Sequence, residues 1–250
     1  TADQWIFHKF EVMINDVETY FSQYRFDLAS QSIYDFTWNT FCDWYIELTK
    51  PIFWDKNGDE QLKIGTYQTL LSILEKLCLV LHPVMPFITE EVWQIFQKES
   101  LFSSKSESIM IAKWPEKDKN LVNHAIDNAL SHIIATIRET RHVRKEINVQ
   151  PGKKIELLLF TDDNDEFTSL NLGKDIIKAL AKVETLTLEN TSKSIEQAAS
   201  SLIGKTQLFI PLKGLINLDE ERNRLEKKLN TIINELERAN KKLSNEGFLA

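Results

Sequence analysis

The chain is organised around YRFDLASQSIYDFTWNTFCDWYIELTK, residues 24–50, in which apolar side chains recur at near-helical spacing. They define two neighbouring faces: Ala29, Ile33, Phe36, Phe41, Trp44 and Leu48 on the first, and Tyr34, Trp38, Cys42 and Tyr45 on the second. A surface helix needs one apolar stripe, so two stripes predict a helix packed between neighbours. Asp27 is predicted to cap this helix, and Lys50 with Pro51 to end it.

Three further helices are predicted from periodic apolar patterns. The first begins at an Asp3 cap and runs to about Gln23, and the third carries apolar residues from Ile64 to Leu81. The fourth spans about Pro86–Gln97, with the proline in its first turn. Short corners between four helices predict an antiparallel bundle over residues 1–115.

The pattern then changes. Serines and charges predict a loop over Ser100–Ser108, followed by an extended segment, Ile109–Trp114. Two helices and three strands are predicted in residues 116–216: helices over Asp118–Lys145 and Lys174–Lys182, and strands over Lys154–Phe160, Glu184–Leu188 and Gln207–Leu212. The run Asp162–Glu166 is predicted to be a solvated loop. This order predicts a small α+β unit.

Residues 217–250 carry a heptad pattern. Its apolar members alternate steps of four and three residues: Leu218, Leu225, Leu229, Ile232, Leu236, Ala239 and Leu243. Asn245–Gly247 is predicted to stop this helix. A lone apolar seam is not stable in water, so the helix needs a partner. Either the return half of a hairpin lies outside this chain, or two chains pair.

Composition and motifs narrow the function. The chain has 250 residues, a net charge of −7 and two cysteines, Cys42 and Cys78, both predicted to be buried free thiols. We predict no membrane span, no signal peptide and, because the chain begins with Thr1, a fragment of a longer protein. The sequence contains no phosphate-binding glycine loop, and its five histidines are scattered. Neither a metal site nor catalytic residues are therefore predicted.

Two stretches are candidates for binding RNA. At Tyr24–Phe26 two aromatic rings flank a guanidinium, a combination that can stack on unpaired bases and reach their edges or phosphates. The alternative is that Phe26 packs on the helix start and Arg25 is solvated. The second stretch, Arg138–Lys154, has an excess of four positive charges and can follow a phosphate backbone. Its alternative is a solvated helix end that favours cations.

Four segments of the chain resemble the C-terminal part of the valyl-tRNA synthetase family: YRFDLASQSIYDFTWNTFCDWYIELTK at 24–50, LHPVMPFITEEVWQ at 81–94, GKTQLFIPLKGLINLDEERNRLEKKL at 204–229 and KKLSNEGFLA at 241–250. The second segment is shared with isoleucyl and leucyl relatives. The resemblance implies an anticodon-binding bundle in residues 1–115, a connecting α+β unit in 116–216 and the outgoing half of a tRNA-binding arm in 217–250. The family's His-x-Gly-His and Lys-Met-Ser-Lys-Ser motifs do not occur here.

The resemblance also implies specific contacts and partners. Phe26 is expected to stack on an anticodon base while Arg25 binds a base edge or phosphate. Further tRNA contacts are expected from five residues: Lys9, Glu90, Arg138, Arg141 and Arg144. The intact enzyme would use ATP and Mg²⁺ to join valine to its tRNA, whereas this fragment would hold no cofactor and be inactive alone. A cytoplasmic monomer is expected. The alternatives are an isoleucyl-type synthetase, or a helical scaffold that dimerises through its coiled coil without binding RNA.

Overall fold

The computed structural model describes residues 1–191, 193–215 and 218–243. Its first part is built from helical elements: α1 (Ala2–Ser22), α2 (Phe26–Asp35), a π-helical segment (Phe36–Tyr45), α3 (Ile46–Trp54), α4 (Glu60–Leu81) and α5 (Pro86–Lys98). The elements from α2 to α3 are continuous and form one rod. The predicted helical bundle at the start of a mainly α-helical fold is confirmed.

The second part is a small α+β unit. Its elements are α6 (His124–Glu146), β1 (Ile155–Phe160), α7 (Asn164–Leu172), α8 (Lys174–Ala181), β2 (Val183–Glu189), β3 (Ala198–Ile203) and β4 (Thr206–Pro211). The sheet order is β2-β1-β4-β3, with β1 parallel to β2 and the other neighbours antiparallel. The predicted α+β unit is confirmed, and its three predicted strands and helix α8 agree with the structure to within one residue at each end.

Helix α6 lies between the two parts, because it packs on α1 and also on α7, α8 and β3. Its buried Ile133 and Ile137 belong to one hydrophobic core that also contains Phe10 of α1 and Leu157 of β1. The division near residue 115 stays a prediction, but the core is continuous across it.

A π-helical turn explains which residues of the central rod are buried. Phe36 and Phe41 are five residues apart, which in an α-helix would place them about 140° apart. The wider i→i+5 turn brings both into the core, where they are 4% and 7% exposed. The first predicted face is therefore confirmed, but the second is only partly buried, since Tyr34 and Trp38 are more than half exposed.

The first predicted cap is wrong. Thr1, not Asp3, caps α1, through a reciprocal pair of hydrogen bonds with Gln4. Asp3 points to neighbouring helices instead: its carboxylate accepts hydrogen bonds from the Tyr45 hydroxyl at 2.6 Å and the Thr66 hydroxyl at 2.9 Å.

The predicted ends of the central helix are also wrong. Asp27 does not cap α2, because its carboxylate binds the guanidinium of Arg25, the N-cap residue. Lys50 and Pro51 do not end the rod, which continues to Trp54. A proline inside a helix removes one backbone hydrogen bond, and here the rod tolerates that loss.

The second part contains two elements that were not predicted. Helix α7 starts inside the predicted loop Asp162–Glu166, since the Asp163 carboxylate caps it by accepting the backbone N–H groups of Asp165 and Glu166. Strand β3, Ala198–Ile203, reads AASSLI and lacks apolar alternation, but it pairs with β4 along its whole length.

The predicted boundaries before α6 also shift. The segment predicted as extended, Ile109–Trp114, begins with a 3-10 turn, Ile109–Ile111. Helix α6 begins at His124 rather than Asp118, because Asn123 caps it and a separate 3-10 turn precedes it.

The last helix, α9 (Leu218–Leu243), confirms the predicted long C-terminal helix. Three heptad side chains, Leu229, Ile232 and Leu236, are 51–59% exposed. The side chains of Leu225 and Leu243 and the predicted stop at residues 245–247 lie outside the described residues.

Helix α4 is long and apolar enough to cross a membrane by length and composition alone. In the bundle its Ile73, Leu77 and Val80 are buried in the core, and its Thr66 hydroxyl donates to Asp3 of α1. These contacts are those of the core helix of a bundle.

His8 links α1 to the start of α6. Its buried Nδ1 accepts the backbone N–H of Asn123, the N-cap residue of α6, at 3.0 Å, so that nitrogen carries no proton. Burial lowers the pKa of His8; Asp127, 3.5 Å from Nε2, opposes the shift, whereas Lys9 and His124 add to it. Protonation of Nδ1 would remove the bond to Asn123.

We therefore expect acid to destabilise the fold through His8. The unfolded chain binds this proton near pH 6.5 and the folded chain only at lower pH. The contribution to the free energy of unfolding is fully present above about pH 6.5 and is lost as pH falls below it. Urea unfolding across this range measures the loss. In His8→Asn an amide oxygen can accept the same N–H without titrating, so the pH dependence should flatten.

The flattening should be partial, because burial also lowers the pKa of His132 and that residue contributes with the same sign. Identical pH dependences for the wild type and His8→Asn would contradict the assignment.

Candidate nucleic-acid interface

The corner between α1 and α2 has a defined backbone geometry. The N–H of Arg25 donates to the carbonyl of Tyr20 at 2.9 Å, and the N–H of Tyr24 donates to that of Phe21 at 3.1 Å. This is the Schellman arrangement that ends many helices, with Tyr24 in the left-handed position at φ 57°. Glycine is usual there, and a side chain costs about 1–2 kcal/mol. The fold keeps a tyrosine at a strained, exposed position.

Both aromatic rings of the corner are open to solvent. Tyr24 is 81% exposed and Phe26 is 55% exposed. Their ring centroids are 6.3 Å apart in an edge arrangement, and the centroid of Phe26 lies 5.8 Å from that of Phe21 in α1. Phe26 is thus anchored against α1 while part of its ring remains available for stacking.

Arg25 and Asp27 form an exposed, two-bonded ion pair beside these rings. The Arg25 Nε and Nη2 donate to the two carboxylate oxygens of Asp27 at 3.0 and 2.7 Å. The hydrogen bond from Arg25 lowers the pKa of Asp27 to about 2. The pair holds the guanidinium in one orientation, and the Nη1 donors lie outside the pair and can reach a base edge or a phosphate.

An apolar groove of about 630 Å³ begins at Asp27 and runs between the central rod and helices α4 and α5. Its rim carries polar groups of Asp27, Ser30 and Gln31 and the exposed ring of Tyr34. Its walls are mostly apolar: Ile33, Phe41, Cys42, Leu74, Leu77, Cys78, Leu81, Val84, Met85, Ile88 and Val92. A groove with apolar walls and a few polar groups at the rim suits a flat, partly polar ligand.

Sequence reasoning did not predict this groove. It depends on α2 lying beside α4 and α5, which no periodicity reveals. The one available signal is the segment Val84–Ile88, where the apolar residues do not follow a buried helical face; Phe87 is 90% exposed.

Two other residues predicted to contact tRNA, Lys9 and Glu90, already have partners within the chain. The Lys9 ammonium lies 2.7 Å from Asp127, and the Lys9 side chain is 30% exposed. Glu90 accepts hydrogen bonds from Gln94, from the Ser108 hydroxyl at 2.9 Å and from the backbone N–H of Ile109 at 3.1 Å. A base that binds Glu90 would have to compete with the hydrogen bonds that its carboxylate accepts from Ser108 and Ile109. The tRNA contacts of Lys9 and Glu90 stay predictions.

The three predicted arginines of α6 have different surroundings. The Arg138 guanidinium is exposed and lies 4.9 Å from the centre of the Trp44 ring. Arg141 donates twice to the carbonyl of Leu180. Arg144 is 7% exposed and donates to two backbone carbonyls, and its contact with tRNA stays a prediction.

Comparison with known families agrees with this architecture. A family model described as the anticodon-binding domain of tRNA ligase matches residues 3–159. A second, described as the valyl tRNA synthetase tRNA binding arm, matches residues 217–250. The chain therefore belongs to the family of tRNA ligase anticodon-binding domains. Because the arm follows that domain, the chain is the tRNA-binding part of a valyl-tRNA synthetase.

Proposed function

We propose that the corner Tyr24–Phe26 and the adjoining groove bind the unpaired anticodon bases of a valine tRNA. The observation that carries this proposal is the left-handed, 81% exposed Tyr24 beside the half-exposed Phe26, with the Arg25 guanidinium held in place by Asp27. Single-stranded bases stack on exposed aromatic rings and are read at their edges by nearby donors and acceptors. The polar groups at the groove rim supply such donors and acceptors.

The whole enzyme would use this interface to select the tRNA to which it joins valine. That reaction would need ATP and Mg²⁺, which act in a part of the enzyme that carries the two family motifs missing from this sequence. The chain alone would bind tRNA without activating valine. It would act in the cytoplasm as a monomer.

Titration against purified tRNAs that differ only in the anticodon tests the proposal. The full protein is expected to bind the tRNA with a valine anticodon more tightly than the others, because the bases are read directly. Equal affinity for all anticodons would overturn the proposal. Transfer of valine to the bound tRNA by the full enzyme, but not by this chain, tests the division of labour.

The exposed stripe of α9 favours one alternative, a scaffold that dimerises through that helix. Leu229 and Leu236 lie one heptad apart and are 57% and 59% exposed, so they need a partner helix. The mass of the protein in solution distinguishes the scaffold hypothesis from the synthetase hypothesis. A dimer that fails to bind tRNA would support the scaffold, whereas a monomer that binds tRNA would support the synthetase.

A further inference from the structure

A second cleft, of about 420 Å³, lies where the C-terminal end of α6 meets the end of α8 and the turn before β1. Four cations line it, from segments up to 41 residues apart in the sequence: Arg141, Arg144, Lys145 and Lys182. The remaining lining residues are Val149, Pro151, Leu180 and Ala181. The lining given by the described residues therefore contains no carboxylate.

Within the part of the chain that the structure describes, none of these four cations forms an ion pair with an acid. Arg141 donates to the carbonyl of Leu180, and the buried Arg144 donates to the carbonyls of Lys153 and Lys182. The Lys182 ammonium donates to the carbonyl of Pro151 at 2.7 Å. A carbonyl satisfies a donor but carries no net charge, so each cation keeps its full charge. Four cations are thus grouped in one cleft of a chain whose net charge is −7.

Two carboxylates that neighbour these cations in the sequence have other partners. Glu146 is 3.5 Å from His142 on the outer side of α6, and Glu184 is 3.9 Å from Lys154. Lys145 is exposed, and its ammonium has no hydrogen-bond partner among the residues the structure describes. The cleft thus presents at least one cation whose donors are all available.

Backbone geometry fixes the two sides of the cleft. Asn148, just after α6, and Lys182, just after α8, both have left-handed backbones, with φ of 53° and 55°. Glycine or asparagine is usual at such helix ends, so Asn148 is ordinary whereas Lys182 is strained. From this position the Lys182 side chain reaches Pro151, whose carbonyl accepts a hydrogen bond from the ammonium at 2.7 Å.

We propose that this cleft binds backbone phosphates of the tRNA. The proposal rests on the tRNA-binding function proposed above and adds a second contact surface to it. The lining residues that the structure describes include no aromatic ring, and base recognition needs a stacking surface, so the lining favours phosphates over bases. The interaction would therefore be indifferent to the anticodon and sensitive to salt. Arg144 contributes by fixing the cleft wall, and Lys145 and Lys182 contact the phosphates.

The test measures tRNA binding by the full protein between about 50 and about 200 mM salt. Lys145→Gln and Lys182→Gly each remove one cation, and the second also relieves the left-handed strain, so it should not unfold the protein. Each variant should reduce the slope of log affinity against log salt by about 0.7–0.9. The affinity ratio across that salt range would then shrink about threefold for each cation removed. Discrimination between anticodons should not change.

Lys119→Gln is the matched control. Lys119 is exposed and precedes α6, a helix of 23 residues, so it lies about 35 Å from the cleft at the opposite end. Its removal should leave the slope unchanged. The proposal is overturned if Lys145→Gln and Lys182→Gly keep the wild-type slope, or if their slopes change no more than that of Lys119→Gln.

Two further outcomes separate the hypotheses. If the wild-type protein binds tRNA and distinguishes anticodons but the cleft variants keep its slope, only the cleft proposal fails. If the wild type does not bind tRNA, both proposals fail. Inorganic pyrophosphate, added as a competitor at constant ionic strength, should weaken tRNA binding in the wild type more than in Lys145→Gln. Tight binding of pyrophosphate that leaves tRNA affinity unaffected would identify a small-anion site instead and overturn the proposal.

Discussion

Replacing Phe26 with alanine is expected to weaken tRNA binding by about 5- to 150-fold, the range that corresponds to losing one base stack. The fold should survive, because the ring is 55% exposed and only one side packs on Phe21. Binding is measured by titration with a valine tRNA, and folding by the midpoint of thermal unfolding. If thermal stability and affinity collapse together, Phe26 is a core residue and its assignment to the interface is wrong.

Tyr24→Gly is the complementary variant, because stability and binding should move in opposite directions. Glycine accepts the left-handed backbone at φ 57° without a side-chain penalty, so unfolding should become harder by about 1 kcal/mol. The same change removes a ring that is 81% exposed, so tRNA binding should weaken. A variant that is more stable and binds as tightly as the wild type would exclude Tyr24 from the interface.

Replacing Asp3 with alanine is expected to destabilise the fold by about 3 kcal/mol, since two hydrogen bonds to a charged acceptor are removed. The carboxylate joins α1 to the central rod through Tyr45 and to α4 through Thr66. Tyr45 is fully buried, and burial together with the bond to Asp3 raises the pKa of its hydroxyl. Without Asp3 this buried hydroxyl loses its acceptor, which adds to the cost.

Urea unfolding measures this effect, and a double-mutant cycle with Tyr45→Phe isolates the bond itself. Tyr45→Phe alone should cost less, because Asp3 still accepts from Thr66. Asp43→Ala serves as the control: this residue is exposed on the π-helical segment, and its removal should change stability by no more than about 0.5 kcal/mol. An Asp3→Ala effect no larger than the control would show that the buried hydrogen bonds are not stabilising.

The helices of the bundle could be predicted because their apolar residues repeat at a helical period. The strands β1, β2 and β4 could be predicted because β-branched or apolar residues are concentrated in them. Strand β3 could not, because backbone hydrogen bonds to β4 hold its small and polar side chains in the sheet. Helix α7 was not predicted, because its acidic start suggests a solvated loop. In the structure the carboxylate of Asp163 caps the helix.

The candidate site was only partly visible in the sequence. The aromatic corner could be predicted, since its three residues are consecutive. The sequence also marks the cations of α6, but it does not reveal which carbonyls they meet. Arg144 is directed inward by two carbonyls that follow it by 9 and 38 residues, and Lys182 joins the same cleft from a different helix. Such groupings depend on tertiary packing.

The π-helical segment separates two parts of the central rod that have different surroundings. The segment ends at Trp44 and Tyr45, which are buried together with Leu48 of α3 and anchor the rod in the bundle. Before it, Tyr34 is left at the groove rim, with the aromatic corner at the rod's first residues. An α-helix over the same residues would place Phe36 and Phe41 about 140° apart, so that only one of the two rings could face the core. The rod could then no longer bury its second part while leaving Tyr34 at the groove rim.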